Sequence, residues 1–210
     1  MNRSTADSQV VRSARAAVVS MVMLVVAVAL TAGAGSAQAA AMSFGSDLDP
    51  SVQPSNAGTA HECNGFEGQK CTWVMGEAYG NPGGEESPKA GTLKKVSLIA
   101  GEAGSFKLQI VKTRNDGSSK VVENGPKISY EGQTDENYDT STYNVETFKV
   151  DEEIPAGARL AVKTKETSTL RCSSGGPNTL LHAPPLVKGA AFVAPDSDDG
   201  CWLLLEGKVK

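Results

Sequence analysis

Beyond residue 62, apolar and polar positions follow a period of two, in short runs separated by turn residues. Phe106, Leu108 and Ile110 occupy alternate positions, with Lys107 and Gln109 between them. Alternation of this kind marks a strand with one face buried. The pattern predicts strands at 72–75, 93–100, 106–111, 120–122, 143–150 with an irregularity near Glu146, 159–163, 179–182, 190–193 and 201–206. Asn81 to Glu86 reads as an exposed loop. Asn115-Asp116-Gly117 reads as a tight hairpin turn, because Asp-Gly accepts left-handed backbone. Asn124-Gly125-Pro126 reads as a second turn, and Ile154 to Ala158 as a connector. No stretch sustains a helical period of 3.6 over three turns. Seven to nine short strands at even spacing predict an all-β fold, an antiparallel β-sandwich of the jelly-roll or immunoglobulin-like kind. Alternation alone leaves the strand order open.

The first 39 residues have a different character. Arg3, Arg12 and Arg15 precede an apolar run from Ala16 to Leu30, and small residues then lead to Ala37-Gln38-Ala39. A positive start, a short apolar segment and an A-x-A end make a secretory signal peptide. The run falls short of the roughly 20 apolar residues that a membrane span needs. Residues 40–62, rich in Ser, Asp, Pro, Asn and Gly, read as an extended lead-in, and 63–210 as one sandwich domain. The carboxyl end carries no hydrophobic tail or wall-sorting motif, so free secretion or non-covalent retention at the envelope is expected.

Export changes the meaning of the cysteines. Cys63, Cys71, Cys172 and Cys201 all follow the leader, and an even count in an exported chain reads as disulfides. Neighbours in sequence stay close in space, which favours Cys63–Cys71 and Cys172–Cys201. The C-x7-C spacing does not fit a zinc finger. Charge narrows the partners. The chain holds 20 Lys and Arg against 24 Asp and Glu. Three Arg and one Asp lie in the leader, which leaves the mature part at −6. An acidic balance argues against nucleic acid and against anionic lipid.

Cys63 and Cys71 leading into Thr72-Trp73-Val74, the Ile154-Pro155-Ala156-Gly157-Ala158-Arg159-Leu160 strand–turn–strand, and the closing Cys201-Trp202-Leu203-Leu204-Leu205 together resemble a group of secreted sandwich domains from high-GC Gram-positive bacteria. That resemblance spans most of the mature chain. It implies a sandwich outside the membrane and carries over no catalytic residue.

Candidate chemistry is sparse. The sequence contains no G-x-S-x-G, H-E-x-x-H, phosphate-binding glycine loop or S-x-x-K. His61 and His182 are too far apart to suggest a pair. Asp196, Asp198 and Asp199 place three carboxylates within four residues beside Cys201, the best candidate for calcium, which takes six to eight oxygen ligands. Asp135, Glu136 and Asp139 rank second, and no other cofactor is expected. Asp151-Glu152-Glu153 reads as a solvated turn. Sugar-binding sandwiches stack rings on aromatic faces. Tyr130 and Tyr138 flank a polar loop as the better candidate platforms; Trp73 and Trp202, each beside a cysteine, read first as core and stand as the weaker ligand-binding candidates. The expected function is an extracellular binding module for a glycan or an envelope component, without catalysis. The alternatives are a structural surface protein without a small ligand and a hydrolase using paired carboxylates. Oligomeric state is not legible.

Overall fold

The strand pattern becomes two antiparallel sheets in the computed structural model, which describes residues 40–49, 59–63, 70–100, 103–132, 144–165 and 167–210, with the side chains of 59–62, 167–178 and 199 excepted. Among these residues there is no helix. The strands are β1 Met42–Gly45, β2 Thr59–Glu62, β3 Cys71–Met75, β4 Gly91–Ile99, β5 Gly104–Thr113, β6 Ser119–Tyr130, β7 Val145–Ile154, β8 Arg159–Thr164, β9 Thr167–His182, β10 Ser197–Leu203 and β11 Leu205–Val209. The smaller sheet runs β1-β11-β4-β7 and the larger β10-β9-β3-β8-β5-β6, with β2 pairing alongside β9.

Inward positions of both sheets fill the space between them. Phe106, Leu108 and Ile110 on β5 and Leu160 and Val162 on β8 meet Val96 and Leu98 on β4, all essentially without solvent exposure. Burying a side chain of this size contributes roughly 1.5–3 kcal/mol, so a core of this extent outweighs any single polar contact. A second, smaller core lies on the outer face of the large sheet. Val74, Val111, Val121, Ala161 and Leu180 are covered there by Leu186, which belongs to the strap 183–196 that follows β9.

The predicted hairpin at Asn115-Asp116-Gly117 is present. Gly117 has φ +81°, and Asp116 Oδ1 accepts from the Ser118 amide at 2.9 Å and the Ser118 hydroxyl at 2.7 Å. Those two bonds hold the Asp116 carboxyl below its ordinary pKa.

Several expectations are corrected. Asn124-Gly125-Pro126 is not a turn. β6 runs through it, and the register slips between Lys107↔Lys127 and Gln109↔Asn124. The signal is a β-bulge, and β6 tolerates Pro126 because it is an edge strand with no neighbour needing that amide. Pairing near Glu146 is regular, and the irregularity falls where Leu93↔Glu152 gives way to Lys95↔Lys149. Residues 190–193 form no strand. They lie in the strap, joined to β6 by the Ser119↔Val193 bridge. The run 201–206 divides at Leu204 between β10 of the large sheet and β11 of the small one. β9 extends back to Thr167, far beyond the predicted 179–182. Two strands lie within the stretch read as a lead-in. β1 pairs with β11, and Phe44 is fully buried over Gly207.

One disulfide, Cys63–Cys71, is described in full, with Cα atoms 5.7 Å apart. Cys201 is also disulfide-bonded.

Candidate functional site

Three strands of the large sheet carry a lysine between two inward-facing neighbours: Phe106-Lys107-Leu108, Pro126-Lys127-Ile128 and Val162-Lys163-Thr164. Alternation turns each of these lysines to the outer face. Register then aligns them. Lys107 stands opposite Lys127 across the β5–β6 ladder and opposite Lys163 across the β5–β8 ladder. Neighbouring strands are about 4.8 Å apart, so three cations form a row perpendicular to the strands. Like charges directly opposite one another destabilise a sheet, on a scale of about 0.2–1 kcal/mol per pair.

Lys165, two residues past Lys163, and Lys70, just before β3, add two cations at one end of the row, where Thr72 stands opposite Lys163. The Cys63–Cys71 disulfide and the Cys71↔Thr164 pairing hold those two chain segments together. The five lysines rim an open trough of about 470 Å³ at this end of the sheet, with Ser105, Phe106, Tyr130 and Thr164 among its other walls. Among the described residues no carboxylate lines it, and none of the five ammonium groups takes part in an ion pair. Two lysines elsewhere are neutralised: Lys94 pairs with Asp151, and Lys188 with Glu123 at 2.6 Å. The trough therefore concentrates positive charge on a chain whose formal net charge is −4.

The strap closes the other half of the same face through buried polar groups. Thr72 donates to Gln109 Oε1 at 2.9 Å and accepts from the Leu186 amide at 3.1 Å. Gln109 Nε2 donates to Asn124 Oδ1 at 3.0 Å and to the Leu186 carbonyl at 3.2 Å. Phe192 in the strap lies 3.8 Å beneath the Arg114 guanidinium. His182 ends β9 under the strap, fully buried, and neither ring nitrogen has a hydrogen-bond partner of standard geometry. Burial lowers its pKa. The Asp196 carboxylate and the Ala194 carbonyl act in the opposite direction without reversing the shift.

The candidate residues fall in separate places. Tyr130 lines the trough but is only 5% exposed and packs against Phe106 at 6.0 Å between centroids, so it offers no open ring face. Trp73 is core, as expected, at 2% exposure. Trp202 is half-buried against Tyr79, edge to face at 5.1 Å. Tyr138 lies outside the described residues, as do Asp135, Glu136 and Asp139. Asp196 accepts from the Ala183 amide at 2.7 Å, which fixes the strap to the end of β9. Asp198 is exposed on β10, and the side chain of Asp199 lies outside the description. Among the described residues no three His, Cys, Asp or Glu side chains gather around one point. Asp151 and Glu153 are on the edge strand β7, facing Lys94 and solvent rather than a cleft.

Sequence reading missed the lysine row, whose members are spread over almost sixty positions. The available signal was a lysine set between inward-facing residues in three separate runs. Compared with known proteins, the chain matches no family model, no curated protein and no solved structure.

Proposed function

We propose that this protein is a secreted binding module that holds a glycan or other envelope component in the lysine-rimmed trough of its large sheet. One observation carries this reading. Lys127, Lys107 and Lys163 oppose one another in register, with no carboxylate among the described residues lining their trough. A fold that keeps an unfavourable local arrangement is expected to do so at a functional site. Recognition by charge also suits the buried aromatics, because Tyr130 and Trp73 present no platform for a neutral sugar ring.

The Cys63–Cys71 disulfide supports an oxidising, extracytoplasmic location and so the reading of residues 1–39 as an export signal. Strand order supports the jelly-roll form of the sandwich. β1-β11-β4-β7 faces β3-β8-β5-β6 as a double Greek key, with the β9–β10 hairpin added at the β3 edge. We also pair Cys172 with Cys201. Their strands are adjacent, and Leu203↔Cys172 and Cys201↔Ser174 put the two cysteines two positions apart in register.

The test is retention of the oxidised protein on insoluble polysaccharides and on isolated cell walls. Binding that salt elutes from the anionic matrices is the expected result. Failure to be retained on any matrix would end the binding-module reading.

A further inference from the structure

Resting on that reading, we infer that the trough takes a linear polyanion, an acidic envelope polymer with repeated phosphate or carboxylate groups, laid across the strands along the row Lys127–Lys107–Lys163 and continuing toward Lys165 and Lys70. The shape of the charge distribution leads to this ligand. A single small anion is held by donors converging on one point. Here three cations form a row one strand spacing apart, with Lys165 and Lys70 displaced along the strands at its β8 end, along an open trough. Every cation is lysine. An ammonium group is a mobile point charge, whereas an arginine fork grips one carboxylate or phosphate in a fixed bidentate geometry. A row of point charges suits a flexible chain of single negative charges, each met in turn.

The same features argue against nucleic acid. Single strands are held by bases stacked on exposed aromatics, and the two rings that line this trough among the described residues, Phe106 and Tyr130, are buried at 2% and 5% exposure. A duplex presents a charge every ~1.7 Å along its axis and a broad surface. Its phosphates would meet the carboxylates of a chain that carries 24 Asp and Glu.

The experiment measures affinity at several salt concentrations for four probes: polygalacturonate, a polyglycerol phosphate, a neutral glucan of similar length and a single-stranded oligonucleotide. The oxidised wild type is compared with Lys107→Gln, Lys127→Gln, Lys163→Gln and the triple variant. Both acidic polymers should bind, with log K falling against log[salt] at a slope of about −2 to −4 for three to five contacts. Each single variant should lose about fivefold in affinity and flatten the slope by about one, and the triple variant should lose binding while unfolding no earlier than wild type. A preference between the two acidic polymers would show whether carboxylate or phosphate is the natural group. Undiminished binding by the folded triple variant would overturn the inference. So would salt-independent binding of the neutral glucan alone, an outcome that leaves the binding module standing with a different ligand. Tighter binding of the oligonucleotide than of both polymers would replace the envelope polymer with nucleic acid. No binding to any probe would remove the module reading itself.

Discussion

Lys107 and Lys163 face each other across the β5–β8 ladder, cation against cation, while the same Lys107 faces Lys127 on its other side. This central position gives Lys107 two repulsive neighbours and its partners one each within the row. Lys107→Gln should therefore raise the melting temperature by about 1–3 °C at low salt, and the gain should shrink as salt screens the wild-type row. Thermal scans at about 20 and 500 mM NaCl read both effects. A lower melting temperature for the variant would mean that the lysines support the sheet.

His182 predicts a dependence on pH. Its folded pKa lies below the ordinary 6.5 because burial disfavours the charged ring. Below 6.5 the unfolded chain takes up a proton that the folded chain resists. Stability is therefore full above about 6.5 and falls as pH drops from there toward the lowered folded pKa. Chemical denaturation between pH 5 and 8 should show this slope, and His182→Leu should remove it. Because neither ring nitrogen has a hydrogen-bond partner of standard geometry, that variant should be no less stable than wild type at pH 7.5. A loss of several kcal/mol there would show that the imidazole has a partner such as ordered water.

Phe44 belongs to the core although it lies upstream of both cysteines of the first disulfide. Its ring packs over Gly207, so closely that a Cβ on Gly207 would come within 2.6 Å of Phe44 Cε1. Phe44→Ala should cost about 3–5 kcal/mol, measured by urea unfolding. A change below 1 kcal/mol would mean that β1 is dispensable.

The proposed Cys172–Cys201 pairing can be tested by mapping. Non-reducing proteolysis should yield one linked peptide pair containing Cys63 and Cys71 and another containing Cys172 and Cys201. Replacing Cys63 and Cys71 by Ala should cost about 2.5 kcal/mol, the chain-entropy value for a separation of 8 residues. A Cys172 peptide linked to any cysteine other than Cys201 would overturn the second pairing.

Period-two alternation at 106–111 and 159–163 was enough to identify the strands and their buried faces, because side-chain direction in a strand is a local property. Asp116-Gly117 was legible for the same reason, its turn being closed by Ser118 two residues away. Asn124-Gly125-Pro126 was misread because a bulge on an edge strand and a hairpin turn use the same residues. Pairing with β5 on both sides, Lys107↔Lys127 and Gln109↔Asn124, distinguishes them. The length of β9 was hidden because Ser173 to Asn178 show no apolar alternation and include Gly175, Gly176 and Pro177, while pairings with β2 at 167–172, with β10 at 172–174 and 179–181 and with β3 at 179–182 set the strand.

The sequence by itself determined the β class, the inner and outer faces of the best-patterned strands, the hairpin between β5 and β6, and four cysteines, two of them bonded to each other as their spacing suggested. Tertiary structure alone decided which strands lie side by side. Register brings Lys107, Lys127 and Lys163 into one row, buries Tyr130 and places His182 beneath the strap. The physical reason is that alternation is set by backbone geometry within a few residues, whereas charge concentration and burial depend on pairings between residues tens of positions apart.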